Sequence, residues 1–311
     1  MKRALRLLVA VTLTGTPVAA QTAAPPIVGR WDLTVEMPGL HRAAWLEVHR
    51  SGSSTLVGQF VGVTGSARPI SKVEFRDGEM RFSIPPQWEG VEGDLSFAAR
   101  MEGESLMGSM TLADGKSYAW RGTRAPSLRR DGEPRWGEPV RLLGASGLSG
   151  WHVHGGANEW EVVEGVLRNR KSGGNLVSDR TFTDLKLHLE FRHPPGGNSG
   201  VYLRGRYEVQ ILDPGGPEAE PDVSAVGGVY GFLAPSRIAA RPAGEWNTLE
   251  LTLVGRMVTV ILNGQTVISD REIPGITGGA LDSDEGAPGP LLLQGDHGPV
   301  EFRNIVVTPA L

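Results

Sequence analysis

Apolar residues in this chain recur at every second position in short runs, and Gly, Pro or a Ser-Gly, Asp-Gly or Asn-Gly pair interrupts the runs before a helical period can develop. With 43 Gly and 22 Pro in 311 residues, such a chain buries its side chains on the faces of strands, which makes it all-β. Its length suggests two domains. Residues 27–124 read as eight short strands between Gly29 and Arg121 in a closed up-and-down barrel. Strands so short fill a barrel with their own side chains, so an accessory or docking role is expected there, with its partner unknown. Residues 125–137 break all periodicity with Pro, Gly and charge and read as a linker. Residues 138–311 carry longer, more regular strands, among them a hairpin at Asn263-Gly264, and two stacked antiparallel sheets bury them economically.

The first twenty residues stand apart. Lys2, Arg3 and Arg6 precede an apolar run from Leu7 to Leu13, and small residues end at Ala19-Ala20, the pattern of a secretory signal cleaved near Ala20. The run is too short to span a bilayer, so a periplasmic or secreted protein without a membrane span is expected. With no Cys at all, stability has to come from packing. Losing those three cations with the leader takes the formal charge from -4 to -7, which argues against nucleic acid as a partner.

The segment most suggestive of chemistry is Gly197 to Asp213, a strand-turn-strand with polar residues at alternate positions. Glu208 and Gln210 point one way and Val209 and Ile211 the other, while Tyr202 and Arg204 are expected to share a face of the preceding strand. Burying unpaired charge is costly, so that face is either washed by solvent or is a site. Glu208 is the first candidate for a general base or metal-binding carboxylate, its bland reading being an ion pair with Arg204 or Arg206. His297, in the loop Gly295-Asp296-His297-Gly298, titrates in the range useful for acid–base work, or simply holds the turn. Asn198 and Tyr202 are placed on the same surface, and Tyr230 between Gly228 and Gly231 either contacts a ligand or fills the core. His152 and His154 share a strand face without a third metal ligand, and Asp282, Asp284 and Glu285 read as a solvated acidic loop. No cofactor is assigned; a divalent cation is left open, its ligands unknown.

Several ordered motifs carry a resemblance. They are Trp160-Glu161-Val162-Val163-Glu164-Gly165-Val166-Leu167, Asn198-Ser199-Gly200-Val201-Tyr202-Leu203-Arg204-Gly205, Tyr207-Glu208-Val209-Gln210-Ile211-Leu212-Asp213, Gly228-Val229-Tyr230-Gly231, Gly244-Glu245-Trp246-Asn247, and the closing Leu293-Gln294 to His297-Gly298 with Phe302-Arg303-Asn304-Ile305. From about Arg141 to Leu311 the chain resembles the 3-keto-disaccharide hydrolase domain family, a concanavalin A-like sandwich of the lectin and glucanase type. The opening Gly29-Arg30-Trp31 and late Arg121 resemble the signature of lipocalin-type barrels.

The first resemblance implies action on a small carbohydrate whose 3-hydroxyl has become a ketone. The ketone acidifies the hydrogen on carbon 2, so a base can form an enolate that expels the glycosidic oxygen from carbon 1, and hydration completes a net hydrolysis. Glu208, His297 and Arg204 are the expected catalytic residues, with Asn198, Tyr202, Gln210 and Tyr230 binding substrate. Glucanases that share the sandwich carry acidic residues two positions apart on one strand face. Here the second position is Gln210, which can hold a hydroxyl but cannot act as nucleophile or acid. The alternative is a lectin-type binding protein that uses Tyr202, Tyr207 and Tyr230 as aromatic platforms; a conventional glucanase ranks last.

Overall fold

The computed structural model describes residues 24–144, 147–216 and 219–311. The expected leader, residues 1–20 with its cleavage point near Ala20, lies outside them. Among the described residues no helix is long and apolar enough to cross a membrane.

The first half is an eight-stranded antiparallel barrel. Strands β1 (Gly29–Met37), β2 (Leu40–Ser51), β3 (Thr55–Val61), β4 (Arg68–Arg76), β5 (Glu79–Ile84), β6 (Leu95–Glu102), β7 (Ser105–Thr111) and β8 (Ser117–Arg124) pair in sequence order, and β1 closes onto β8. Its interior is packed with Trp31, Leu33, Phe60, Phe82, Phe97 and Trp120, the rings of Phe82 and Phe97 stacking 4.4 Å apart. The cation over Trp31 is Arg124, 3.8 Å from the ring centroid, and not Arg121. Strand alternation explains the correction. Trp120, Gly122 and Arg124 share one face of β8, Arg121 is exposed on the other, and Arg124 is the cross-strand partner of Trp31.

The second half is a sandwich. Its strands are β9 (Val140–Arg141), β10 (Trp151–His154), β11 (Trp160–Val163), β12 (Val166–Asn169), β13 (Asn175–Phe182), β14 (Leu185–Arg192), β15 (Asn198–Leu203), β16 (Tyr207–Leu212), β17 (Asn247–Val254), β18 (Met257–Leu262), β19 (Gln265–Glu272), β20 (Gly289–Leu293) and β21 (Val300–Pro309). One sheet runs β10-β13-β20-β15-β16; the other runs β11-β12-β21-β14-β17-β18-β19, with β9 on β21. Leu187, Leu189, Leu249 and Leu251 of the second sheet and Val201, Val209, Ile211 and Leu293 of the first belong to the single apolar cluster between them. The segment after the barrel, read as a linker, is laid on the sandwich. Arg130 Nε donates to Asp184 Oδ2 at 2.8 Å, Arg256 Nη1 donates to the Pro126 carbonyl at 2.9 Å, and Trp136 bridges to Ala310.

The barrel is docked, not tethered. In β2, Ala44, Leu46 and Val48 face the barrel interior, whereas Ala43 and Trp45 point outward and join the sandwich's apolar cluster with Val61. Trp45 is fully buried and meets the ring of Phe232 edge-on at 5.4 Å and 88°. Gly275 makes this approach possible, because a Cβ there would lie 2.2 Å from the Trp45 indole nitrogen. We therefore expect Gly275→Ala to lose about 1–3 kcal/mol of stability by overpacking against a rigid ring. Thermal unfolding checks it, and an unchanged melting temperature would show that the two halves do not depend on this seam.

Candidate active site

The β15–β16 hairpin divides its side chains between two surfaces. Val201, Leu203, Tyr207, Val209 and Ile211 enter the sandwich core, and Asn198, Gly200, Tyr202, Glu208 and Gln210 occupy the opposite face. That face is not solvent-washed. Glu208 is 4% exposed and Tyr202 2%, because barrel loops and the segment after β19 cover them. The carboxylate needs the glycine of Asn198-Ser199-Gly200, since a Cβ at Gly200 would lie 2.3 Å from Glu208 Oε1.

Among the described residues, no guanidinium pairs with Glu208. Its hydrogen-bonding side chain is Tyr202, whose hydroxyl lies 2.9 Å from Glu208 Oε2 and 2.9 Å from the Gly278 carbonyl. Burial pushes the Glu208 carboxyl up to about 8, against the opposing pull of the Tyr202 hydrogen bond and the His297 charge. A phenol has one proton to give. When Glu208 is neutral, its own proton goes to the Tyr202 oxygen and the phenol donates to Gly278; when it is ionised, the phenol turns to the carboxylate. The trio is thus wired for both protonation states.

Across a cavity of about 520 Å³, within the usual size of a small-molecule site, stand Asp296 and His297. Asp296 Oδ1 is 2.6 Å from His297 Nδ1, which leaves Nε2 as the free nitrogen of a half-exposed ring. That hydrogen bond holds the imidazole above its ordinary value while partial burial opposes it, and Glu208 adds to the rise. The two groups feel each other's charge over the cavity, as partners in proton transfer must. Between them, Asn198 Oδ1, Gln210 Oε1 and Gln294 Oε1 are buried on the cavity wall without a hydrogen-bond partner. Orphaned polar atoms are expensive, and three amides that can each present oxygen or NH₂ suit a ligand rich in hydroxyls.

The structure thus brings Glu208, His297, Asn198, Tyr202, Gln210 and the half-buried Tyr230 around one cavity. Arg204 lies elsewhere. Its backbone turns at φ 53°, which ends the alternation it was expected to share with Tyr202 and sends the guanidinium to the Tyr207 hydroxyl at 2.9 Å and the Gly255 carbonyl at 3.2 Å. Arg206 binds Asp282 at 2.7 Å, not Glu208. Tyr207 is wholly buried on the core side, so the three-tyrosine platform of a lectin does not assemble. In the acidic loop Asp282 and Asp284 are exposed, as expected, but Glu285 is not solvated: it is fully buried against Arg256, with Arg256 Nε 3.1 Å from Oε1. His152 and His154 sit on the edge strand β10, with His152 bonded to Asp179. Among the described residues, no group of three or more His, Asp or Glu side chains is arranged to hold a metal ion.

Sequence reasoning did not place Gln294, Asp296, Gly278 or the barrel residues Thr64, Gly65 and Trp88 in this cavity. Gln294 was detectable in principle, as the polar residue that ends the apolar run Leu291 to Leu293 beside the Asp-His pair. The barrel residues carried no such signal, since their position depends on how the two halves dock.

Residues 138–308 match the family described as the 3-keto-alpha-glucoside-1,2-lyase-like domain. Among solved structures, the chain is similar to a candidate glycosyl hydrolase from Parabacteroides distasonis, with 28% identity over 61% of this chain and 98% of that one and a TM-score of 0.49. A second such protein from the same organism shares 24% identity over 56% and 100% of the two chains, with a TM-score of 0.45. The β-glucanase of Bacillus licheniformis shares 12% over 58% and 100%, with a TM-score of 0.37. No curated protein matches.

Asp296 raises His297, so Asp296→Asn should move the imidazole titration to lower pH. A carbon-detected NMR titration of the His297 ring in the free protein measures this. An unmoved midpoint would mean that the 2.6 Å contact does not set the imidazole's protonation.

Proposed function

The chain belongs to the 3-keto-alpha-glucoside-1,2-lyase-like family through residues 138–308, and from that premise we propose that it cleaves the glycosidic bond of 3-keto-glucosides by elimination followed by hydration. Family membership supports the coarser part, a carbohydrate-active enzyme of glycosidase type. The finer part rests on one observation: a buried carboxyl raised to about 8, without a cation partner, faces a His–Asp pair across a cavity walled by three unpaired amides.

In this reading the ionised Glu208 carboxylate takes the proton from carbon 2, made acidic by the neighbouring ketone. The electron pair moves into the enolate and then expels the oxygen on carbon 1, which receives its proton from His297 Nε2. Asp296 keeps that imidazole oriented and protonated. The product carries a double bond between carbons 1 and 2. Water then adds across it, oxygen to carbon 1 and hydrogen to carbon 2, giving the free keto-sugar. Amide NH₂ groups of Asn198, Gln210 or Gln294 are the donors available to the enolate oxygen; Arg204, held by Tyr207 and Gly255, is not. The acid-base pair replaces the two close carboxylates of a retaining glycosidase, because the second carboxylate position is Gln210. The leader at residues 1–20 would put this activity in the periplasm or the medium.

The test is incubation with 3-keto-trehalose, 3-keto-sucrose and aryl 3-keto-glucosides in deuterated water. We expect release of the leaving group with solvent deuterium at carbon 2, and a loss of about 10²- to 10⁴-fold in kcat for Glu208→Gln, the usual worth of a positioned base. Equal turnover of the unoxidised glucosides, or no release from any keto-substrate, would contradict the proposal.

A further inference from the structure

The matched family region begins at residue 138, yet part of the cavity wall comes from the barrel. Thr64 and Gly65 lie in the connection between β3 and β4, and Trp88 lies in the connection between β5 and β6. These two connections are built as one unit. Gln87 Nε2 donates to Ser66 Oγ at 2.8 Å and the Ser66 N–H donates to Gln87 Oε1 at 3.0 Å. Glu89 accepts from the Gln87 and Trp88 N–H groups at 2.7 and 3.0 Å and is held by Arg68 at 2.8 Å. The unit is fastened to the sandwich where it matters: the Gly279 N–H donates to the Val63 carbonyl at 2.9 Å, and a Cβ at Gly278 would lie 2.2 Å from the Gly65 carbonyl oxygen. Gly278 is also the acceptor for Tyr202, so the barrel connection is linked to the Glu208 carboxyl through the Gly278 backbone and the Tyr202 side chain.

Trp88 is anomalous in this setting. An indole normally buries its apolar face, and the loop around Trp88 is ordered by five side-chain hydrogen bonds, yet Trp88 is 69% exposed at the cavity. Its side chain meets that of Tyr230, so two aromatic residues, one from each half, flank the opening. The acid-base groups and the unpaired amides lie on the sandwich side of the cavity, where the reacting ring must sit. The departing half therefore extends toward the barrel side.

We propose that the barrel supplies the leaving-group subsite, with Trp88 as a stacking platform for a ring-bearing aglycone. This rests on the reading of the cavity as a keto-glucoside site. It assigns the barrel a role in selecting substrates: leaving groups that present a flat ring face are favoured over small alkyl ones. Aromatic stacking gives such a preference in a site that is otherwise polar.

Binding measured apart from turnover separates the two claims. Calorimetry in the Glu208→Gln background compares phenyl with methyl 3-keto-glucoside, for Trp88 intact, Trp88→Ala and Trp88→Phe. We expect the phenyl compound to bind at least about fivefold more tightly with Trp88, the preference to disappear in Trp88→Ala, and Trp88→Phe to restore most of it. A phenyl-to-methyl ratio that is the same in all three proteins overturns the subsite, as does an equal loss of affinity for both compounds in Trp88→Ala. Turnover by the wild-type protein is scored independently: its absence counts against the elimination reaction and leaves the binding ratio to judge the platform.

Discussion

The arrangement depends on keeping a carboxyl buried without pairing it to a guanidinium. Glu208 could have been neutralised several times over, since Arg204 and Arg206 precede it closely in sequence and Arg256 lies in the turn between β17 and β18 of the facing sheet. Each is engaged elsewhere: Arg204 with Tyr207 and Gly255, Arg206 with Asp282, Arg256 with Glu285. A buried pair between Glu208 and any of them would have pulled the carboxyl down and fixed it as an anion. With the guanidiniums committed to Asp282, Glu285, Tyr207 and backbone carbonyls, burial outweighs the pull of Tyr202 and His297, and the carboxyl rises into the range where it can exchange protons near neutral pH.

The same sorting of charge holds the two halves together. Glu285, wholly buried, hydrogen-bonds Arg256 and Tyr207 from the sandwich, and its negative charge together with burial keeps Asp32 of β1 well above the usual carboxylate range. Asp32 belongs to the barrel, so the polar network under the hairpin crosses the seam that Trp45 and Gly275 make on its apolar side. The cavity lies between these fixed contacts. Its floor is a strand face, its walls are the 296–297 and 278–279 loops, and its far edge is barrel. A rigid floor with precise side-chain spacing is what acid–base chemistry needs, whereas an edge contributed by another unit is free to vary with the leaving group.

Much of this was legible in the sequence for reasons that can be named. Period-two alternation and turn residues specify the barrel, the sandwich and the split of Glu208 and Gln210 from Val209 and Ile211. It fails at Arg204, because a positive φ in the hairpin turn resets which way a side chain points, and nothing local distinguishes that position from the strand before it. Arg121 stands on the outward face of β8, three residues before Arg124, and which of the two meets Trp31 is a matter of register that only the β1–β8 pairing fixes. Glu285 read as solvated because charge runs usually are; its burial follows from a long-range partner, Arg256. The unbroken run Ala43-Ala44-Trp45-Leu46 did hold a clue to docking, since a barrel strand apolar on both faces must be covered outside as well as in. Trp88 had none, as an aromatic residue in a polar loop gains meaning only from what lies opposite.

The central claim is that burial without a cation partner leaves Glu208 protonated at neutral pH and ionised just above it. Infrared difference spectroscopy of the carboxyl stretch, recorded against pH for the wild-type protein and subtracted from Glu208→Gln, reads this directly. The account predicts a carboxylic acid band that is lost with a midpoint near 8. A midpoint near the ordinary glutamate value, roughly 4.3, would contradict it.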